Sequence, residues 1–450
     1  MKPINTSIFK AYDVRGLYPS EMNEELAYRF GRAVVLELQA QTVVVGRDAR
    51  TSSPSLFDAL SEGITDAGAD VFDLGLATTP QVYFASHILN SDVAIALTAS
   101  HNPPEYNGLK LCKRNAEPIG LASGLDKVRD RAVSENDRGP IHTKGRIIPH
   151  DITAEYTTAL CDAVDFKGRT FRVATDTACA MGILELPILE HIGIQIPARL
   201  YDTLDGTSSH EANPLKQSTL NELSSLVSGG GYDLGIAYDG DADRVGFVDE
   251  LGEIIGMDII TAIIAKVILI KHPGSTILAD LRSSLSVRET VEKAGGTYLD
   301  CRVGHPLIKK QMKEVGAIFA GELSGHYYFG GSYIAERGSL PVVYLLNAIA
   351  ESGKTLSRLV SEVKRYFHSG EIDSEVEDVA YSLATVEQLY KDGTVSYLDG
   401  IKVSYPDWWF SVRSSNTEPL VRLNCEATSH ALMEQKRDEL IGVIRGSRTR

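Results

Sequence analysis

The sequence predicts an α/β protein: three tandem, similar α/β domains with mixed, largely parallel sheets, then a smaller carboxyl-terminal α+β domain. Three observations carry this reading. One order of strands and helices recurs three times, each copy ends its last strand in a short polar loop, and the pattern changes after about Ser369. At roughly 150 residues per domain, a chain of 450 residues has room for two to four such units. With 43% hydrophobic and 23% charged residues, it can bury a large core.

In the first copy, the β-branched run Thr42–Val45 meets the turn Gly46-Arg47-Asp48. A helix follows from about Pro54 to Ala67, then strands over Ala69–Leu74 and Val93–Leu97, the latter running into Thr98-Ala99-Ser100. The second copy begins at Phe171–Ala174, passes through a helix over Gly182–His191 and a strand near Ile194, and ends with Leu234–Tyr238 before Asp239. The third begins at Thr276–Ala279, continues through a helix over Ser286–Ala294, and ends with Ala317–Ala320 before Gly321-Glu322. Strands alternating with helices argue for right-handed β-α-β units. Loops at the carboxyl ends of such strands are where α/β sheets bind ligands. Beyond Ser369, Asp399–Ser404 and Trp408–Arg413 read as antiparallel strands and Ser429–Gly446 as a closing helix. The expected domains are 1–145, 146–253, 254–367 and 368–450.

Charge and composition exclude several functions. Lys+Arg 45 against Asp+Glu 60 gives a net charge of −15, which argues against a broad basic surface for nucleic acid or anionic membrane. Five dispersed cysteines without a Cys-x-x-Cys pair, and an amino end lacking an apolar signal core, suit a reducing cytoplasm. The longest apolar run, Ile259–Ile270, carries Lys266 and is short for a bilayer, so it reads as a buried helix. The expected partner is a small molecule, with no nucleic acid and no membrane.

Four strings carry chemistry. Thr98-Ala99-Ser100-His101-Asn102-Pro103-Pro104-Glu105-Tyr106-Asn107-Gly108-Leu109-Lys110 reads as a stiff turn with a serine hydroxyl at its head. Such a hydroxyl can act as a nucleophile or carry a transferred group, although an isolated Ser-His is more often an ordinary surface turn. In Asp239-Gly240-Asp241-Ala242-Asp243-Arg244, three alternate carboxylates repel unless a hard cation sits among them. Oxygen-only donors suit Mg²⁺, and three of them leave room for a water or phosphate oxygen. An EF-hand is excluded, because Arg244 occupies the position of its turn glycine and strands replace its helices. Gly321-Glu322-Leu323-Ser324-Gly325-His326 offers an acceptor, a hydroxyl and an imidazole suited to sugar hydroxyls. Arg413-Ser414-Ser415-Asn416-Thr417-Glu418-Pro419 combines a guanidinium, hydroxyls, an amide and turn N–H groups, a set that can hold a phosphate dianion.

Together, and with Ile8-Phe9-Lys10-Ala11-Tyr12-Asp13-Val14-Arg15-Gly16 at the amino end, these strings resemble the α-D-phosphohexomutase superfamily, most closely its phosphomannomutase/phosphoglucomutase branch. The resemblance covers nearly the whole chain. It implies a four-domain enzyme around a central cleft that interconverts hexose 1- and 6-phosphates of mannose or glucose, through a phosphoserine and a hexose 1,6-bisphosphate. By this resemblance Ser100 carries the phosphoryl group and, with Asp239, Asp241 and Asp243, ligates Mg²⁺ beside Arg244. Arg15, Lys110 and His326 lie near the transferred phosphate. Glu322, Ser324 and His305 bind the sugar, and Arg413, Ser415, Asn416 and Thr417 grip the other phosphate. The expected state is a cytoplasmic monomer or homodimer. Two departures from the family pattern stand out: the segment Tyr327–Gly338, and Arg282 where many relatives have a lysine. Competing readings are a phosphoglucosamine mutase, a haloacid-dehalogenase-like phosphatase with Asp239 as nucleophile, and a non-catalytic phosphosugar-binding protein.

Overall fold

A computed structural model describes residues 4–134, 139, 143–207, 209–414 and 420–446. The chain divides into two compact units, Met1–Ile255 with Ser324–Ser357 and Gly256–Leu323 with Arg358–Arg450.

The first unit contains two mixed sheets. One runs in the order Asp13–Leu17, Tyr106–Lys113, Val93–Leu97, Thr42–Arg47, Asp70–Leu76, Ile147–Pro149. Thr42–Arg47 is parallel to both its neighbours, whereas Tyr106–Lys113 is antiparallel to Val93–Leu97 and Asp13–Leu17. Val43, Val45, Ile95 and Leu97 are fully buried and pack with Phe30, Leu56, Leu60 and Ile64 from covering helices. This is why the inner strands read as continuous apolar runs rather than alternating ones. The other sheet sets Phe171–Asp176 parallel to Ile194–Leu200 and Leu234–Tyr238, with Val245–Asp249 antiparallel to the latter.

In the second unit, Thr276–Asp280 is parallel to both Thr297–Cys301 and Phe319–Gly321. A second, five-stranded sheet follows, antiparallel throughout, in the order Phe367–Glu375, Leu420–Ala427, Trp408–Ser414, Ile401–Ser404, Thr394–Ser396. Val379–Leu389 and His430–Ile444 supply its helices, and Val386, Phe410, Leu423, Met433 and Leu440 form its core. The three α/β sheets and the antiparallel carboxyl-terminal one match the predicted fold class. Met257–Lys271 is a helix buried over most of its length, as its apolar run predicts. No helix among the described residues is long and apolar enough to cross a membrane.

Two elements differ from the sequence reading. Lys110, expected in a loop, lies within the strand Tyr106–Lys113. The helix expected over 182–191 is a 3₁₀ turn, Met181–Glu185, followed by a short α-helix, Leu186–His191. Pro187 stands at the start of that α-helix, where a missing N–H costs nothing, and this marks the break.

Both tryptophans of the chain, Trp408 and Trp409, lie in the carboxyl-terminal sheet, so intrinsic fluorescence reports its unfolding. Phe410→Ala removes a fully buried ring there and is expected to cost about 3–5 kcal/mol. Denaturant titration followed by tryptophan emission should show a correspondingly lower midpoint.

Candidate active site

The first unit gathers Ser100, Lys110, Asp239, Asp241, Asp243, Arg244 and His326. Ser100 follows the buried strand Val93–Leu97 and has φ +53°, a left-handed conformation that costs a non-glycine residue about 1–2 kcal/mol. What holds it there is a residue the sequence reading did not single out. The Arg50 guanidinium donates to the carbonyls of Ser100 (2.9 Å), Asn102 (2.7 Å), Pro103 (2.6 Å) and Tyr106 (3.0 Å). Asp48 in turn fixes Arg50 through Nε at 3.0 Å and accepts from Ser53 Oγ at 2.6 Å. The only sequence signal was the polar turn Gly46-Arg47-Asp48, which points to the strand end but not to Arg50.

The aspartate loop joins the antiparallel strands Leu234–Tyr238 and Val245–Asp249. Gly240 lets it approach the serine loop, since a Cβ there would lie 2.1 Å from the Ser100 carbonyl oxygen. Ser100 Oγ donates to Asp239 Oδ2 at 3.1 Å. Thr79, also missed from sequence, braces the loop by donating from Oγ1 to Asp241 Oδ2 at 2.6 Å and from N–H to the Asp241 carbonyl at 3.0 Å. Asp239, Asp241 and Asp243 are all buried and bring carboxylate oxygens within 4.8 Å of one another.

Lys110 Nζ donates to Asp241 Oδ2 at 2.6 Å and Asp243 Oδ2 at 2.5 Å. Burial alone would depress its pKa, but the charges of Asp241 and Asp243 hold the ammonium above its ordinary value. One lysine does not balance three carboxylates. Burial, and then the neighbouring Asp243 and Asp241, push Asp239 up to about 8. Asp241 Oδ1 is buried without a hydrogen-bond partner among the described residues. An acceptor-only donor set with this residual deficit fits a hard cation, which would restore ionisation of Asp239.

Arg15, on Asp13–Leu17, donates from Nε to Asp13 (2.8 Å) and from Nη1 to Asn102 Oδ1 (2.7 Å), so it touches the same serine loop. Arg244 Nε lies 3.7 Å from Asp239 Oδ2. His326 Nε2 lies 3.3 Å from Asp243 Oδ1, while its Nδ1 is 2.7 Å from Ser324 Oγ. His101 stands beside Ser100. Burial, then Arg244, Arg15 and Lys110, push it down to about 2.

The second unit holds Glu322, His305 and Arg413. Arg282 binds Asp280 through Nε and Nη2, both at 2.9 Å, approaches Glu322 Oε1 at 3.5 Å, and donates from Nη1 to Glu371 Oε2 at 3.0 Å. Arg413 Nη2 donates to the same Glu371 oxygen at 2.9 Å. Asp280 and Glu371 were not picked out from sequence. His305 begins the helix His305–Val315 after Gly304, whose φ is +115°. Ser415, Asn416 and Thr417 lie outside the described residues.

Four family descriptions match in order: phosphoglucomutase/phosphomannomutase alpha/beta/alpha domain I over residues 6–137, domain II over 154–252, domain III over 257–366 and the C-terminal domain over 371–443. A phosphomannomutase of Methanocaldococcus jannaschii is 37% identical over 447 residues, covering 97% of each chain. Phosphohexose mutases of Xanthomonas campestris pv. campestris are 36% identical over 445 residues, covering 97% of this chain and 99% of the relative. A solved phosphoglucomutase/phosphomannomutase family protein of Burkholderia thailandensis superimposes with TM-score 0.90 at 30% identity, covering 99% of this chain and 98% of that one.

The aspartate cluster should bind a divalent cation in solution. Titration calorimetry with Mg²⁺ is expected to show one site, and Asp241→Asn to weaken it by about tenfold or more, because affinity at oxygen sites follows the number of charged ligands.

Proposed function

The chain belongs to the phosphoglucomutase/phosphomannomutase family, and from that premise we propose that it interconverts hexose 1-phosphate and hexose 6-phosphate, with mannose or glucose as the sugar. The observation that carries this reading is the meeting of the Ser100 hydroxyl with a buried, under-compensated carboxylate cluster. Ser100 carries the phosphoryl group in the active form. The phosphoserine bond to Oγ breaks as a bond forms to the free hydroxyl of the bound sugar monophosphate, leaving a hexose 1,6-bisphosphate and an unmodified serine. After the bisphosphate turns around, its other phosphoryl group returns to Oγ and the isomerised monophosphate leaves.

Phosphoryl transfer of this kind depends on alignment and charge neutralisation more than on covalent chemistry. The Arg50 cradle supplies the alignment by fixing the serine backbone in its left-handed conformation. Arg15 and Lys110 supply positive charge at the serine loop, and His326 holds Ser324 and Asp243 together. Mg²⁺, held by Asp239, Asp241, Asp243 and a phosphoserine oxygen, would withdraw charge from the moving group. Glu322 and Ser324 bind sugar hydroxyls, with His305 helping to orient the ring. Arg413 grips the non-reacting phosphate together with Ser415, Asn416 and Thr417. The match along all four domain families replaces the haloacid-dehalogenase reading. Asp239 accepts from Ser100 Oγ and from the Arg244 N–H, which supports its assignment as a ligand beside the serine.

Ser100→Ala is expected to lower turnover at least about a thousandfold, and intact mass should show one phosphoryl group on the wild-type chain after incubation with glucose 1,6-bisphosphate. Near-normal turnover by that variant, or full activity in excess chelator, would overturn the mechanism. A second expectation concerns the sugar. Glucose and mannose differ only at the 2-hydroxyl, for which the proposed set assigns no dedicated donor or acceptor. Their 1-phosphates should have kcat/KM values within roughly a hundredfold of each other. Glucosamine 1-phosphate should be poorer, since its ammonium loses hydration without an assigned partner. A coupled assay with the three sugar phosphates decides this, and a clear preference for glucosamine 1-phosphate would contradict the assignment.

A further inference from the structure

We propose that Glu371 is an internal competitor for Arg413: a positioning residue that holds this guanidinium while no phosphate is bound and weakens the grip on phosphate enough for the bisphosphate to be released and turned. The proposal rests on the reading of Arg413 as a phosphate ligand. Its physical basis lies wholly in the second unit.

Arg413 and Arg422 stand directly opposite each other on the antiparallel strands Trp408–Ser414 and Leu420–Ala427. Like charges in that relation destabilise a sheet. Glu371, on the neighbouring strand Phe367–Glu375, places one carboxylate against both, with Oε2 at 2.9 Å from Arg413 Nη2 and Oε1 at 3.7 Å from Arg422 Nη1. The same Oε2 takes Arg282 Nη1 at 3.0 Å. Arg282 already has Asp280, and Arg422 Nε lies 3.3 Å from Asp373, whereas among the described residues Arg413 pairs with Glu371.

The pairing is also incomplete. Glu371 takes a single nitrogen of Arg413, and Arg413 Nε is buried with no hydrogen-bond partner among the described residues. A guanidinium binds phosphate best through two parallel N–H bonds. A phosphate bound by this guanidinium must therefore contend with Glu371 for Nη2, feeling the carboxylate's repulsion while bound. That repulsion raises the energy of the bound phosphate. The proposed reaction needs such a limit, because the intermediate must leave this grip once in each cycle. Arg282 extends the effect towards sugar recognition, since its other contacts reach Asp280 and Glu322.

Glu371→Gln tests this, because it keeps the length and an acceptor oxygen but removes the charge. With inorganic phosphate as the probe, calorimetry should show binding about two- to fivefold tighter than in wild type, the size expected for one partly exposed charge. In turnover of glucose 1-phosphate, KM should fall, and kcat should fall with it as release slows. Glu371→Ala should also tighten phosphate binding, so either folded variant decides the matter. Unchanged or weaker phosphate binding would overturn the proposal, as would a loss of kcat with KM unchanged or raised, the result of a merely structural role. If the wild type turns over no hexose phosphate, the functional reading fails, and the phosphate titration still decides the role of Glu371.

Discussion

Three carboxylates buried at alternate positions of one tight loop set the terms for the first unit. Asp239, Asp241 and Asp243 cannot all stay ionised in a dry pocket without nearby positive charge. Lys110 answers part of that demand, which requires a strand to carry its ammonium under the loop. Arg244, Thr79 and the Ser100 hydroxyl answer more of it with hydrogen bonds and charge. The remainder is a cation-sized deficit beside a hydroxyl. Structure and chemistry are here one electrostatic problem: the burial that makes the cluster costly also sets it against the Ser100 hydroxyl.

A second cost sits on the serine itself. A left-handed backbone at a non-glycine residue persists only where its surroundings over-determine it. Arg50 does this with hydrogen bonds to successive loop carbonyls, and Asp48 keeps Arg50 from swinging away. Asn107 adds a further brace by donating to Ser52 and Ser53. The strain is therefore offset by groups from a different strand end, Thr42–Arg47, which explains why a parallel neighbour is needed beside Val93–Leu97.

This arrangement also shows what a sequence can reveal. The loops bearing Ser100, the three aspartates and Glu322 were legible because each follows a short buried β-branched or apolar run, and such runs mark strand ends. Lys110 was read as a loop residue because Pro103 and Pro104, with the glycine of Asn107-Gly108, read as fixing one stiff turn. In the structure that pair lies inside a strand, where Asn107 is fully buried and a Cβ at Gly108 would lie 2.3 Å from the Val14 carbonyl. Close backbone approach, not chain reversal, requires that glycine. Arg50, Thr79, Asp280 and Glu371 escaped because their partners are distant in sequence or, for Asp280, because one carboxylate near an arginine is unremarkable. A hydrogen bond spanning 162 positions, as between Thr79 and Asp241, leaves no local pattern to read.

The net charge of −15 is at first sight a poor background for handling phosphates. The pairing of the cations resolves this. Arg15 rests on Asp13, Lys110 on Asp241 and Asp243, Arg282 on Asp280, and Arg413 on Glu371. A buried guanidinium or ammonium without a partner would be costly, and removing its water at the moment of binding would cost again. Pairing each cation in advance meets both costs during folding and fixes its direction. On the proposed function, a phosphate arriving at such a site would exchange with a carboxylate instead of neutralising a bare charge. Affinity would then be the difference between two anions' interactions with the same cation. A chain rich in acidic residues is thus a reasonable host for this chemistry, because its carboxylates hold the cations ready and temper how strongly they bind.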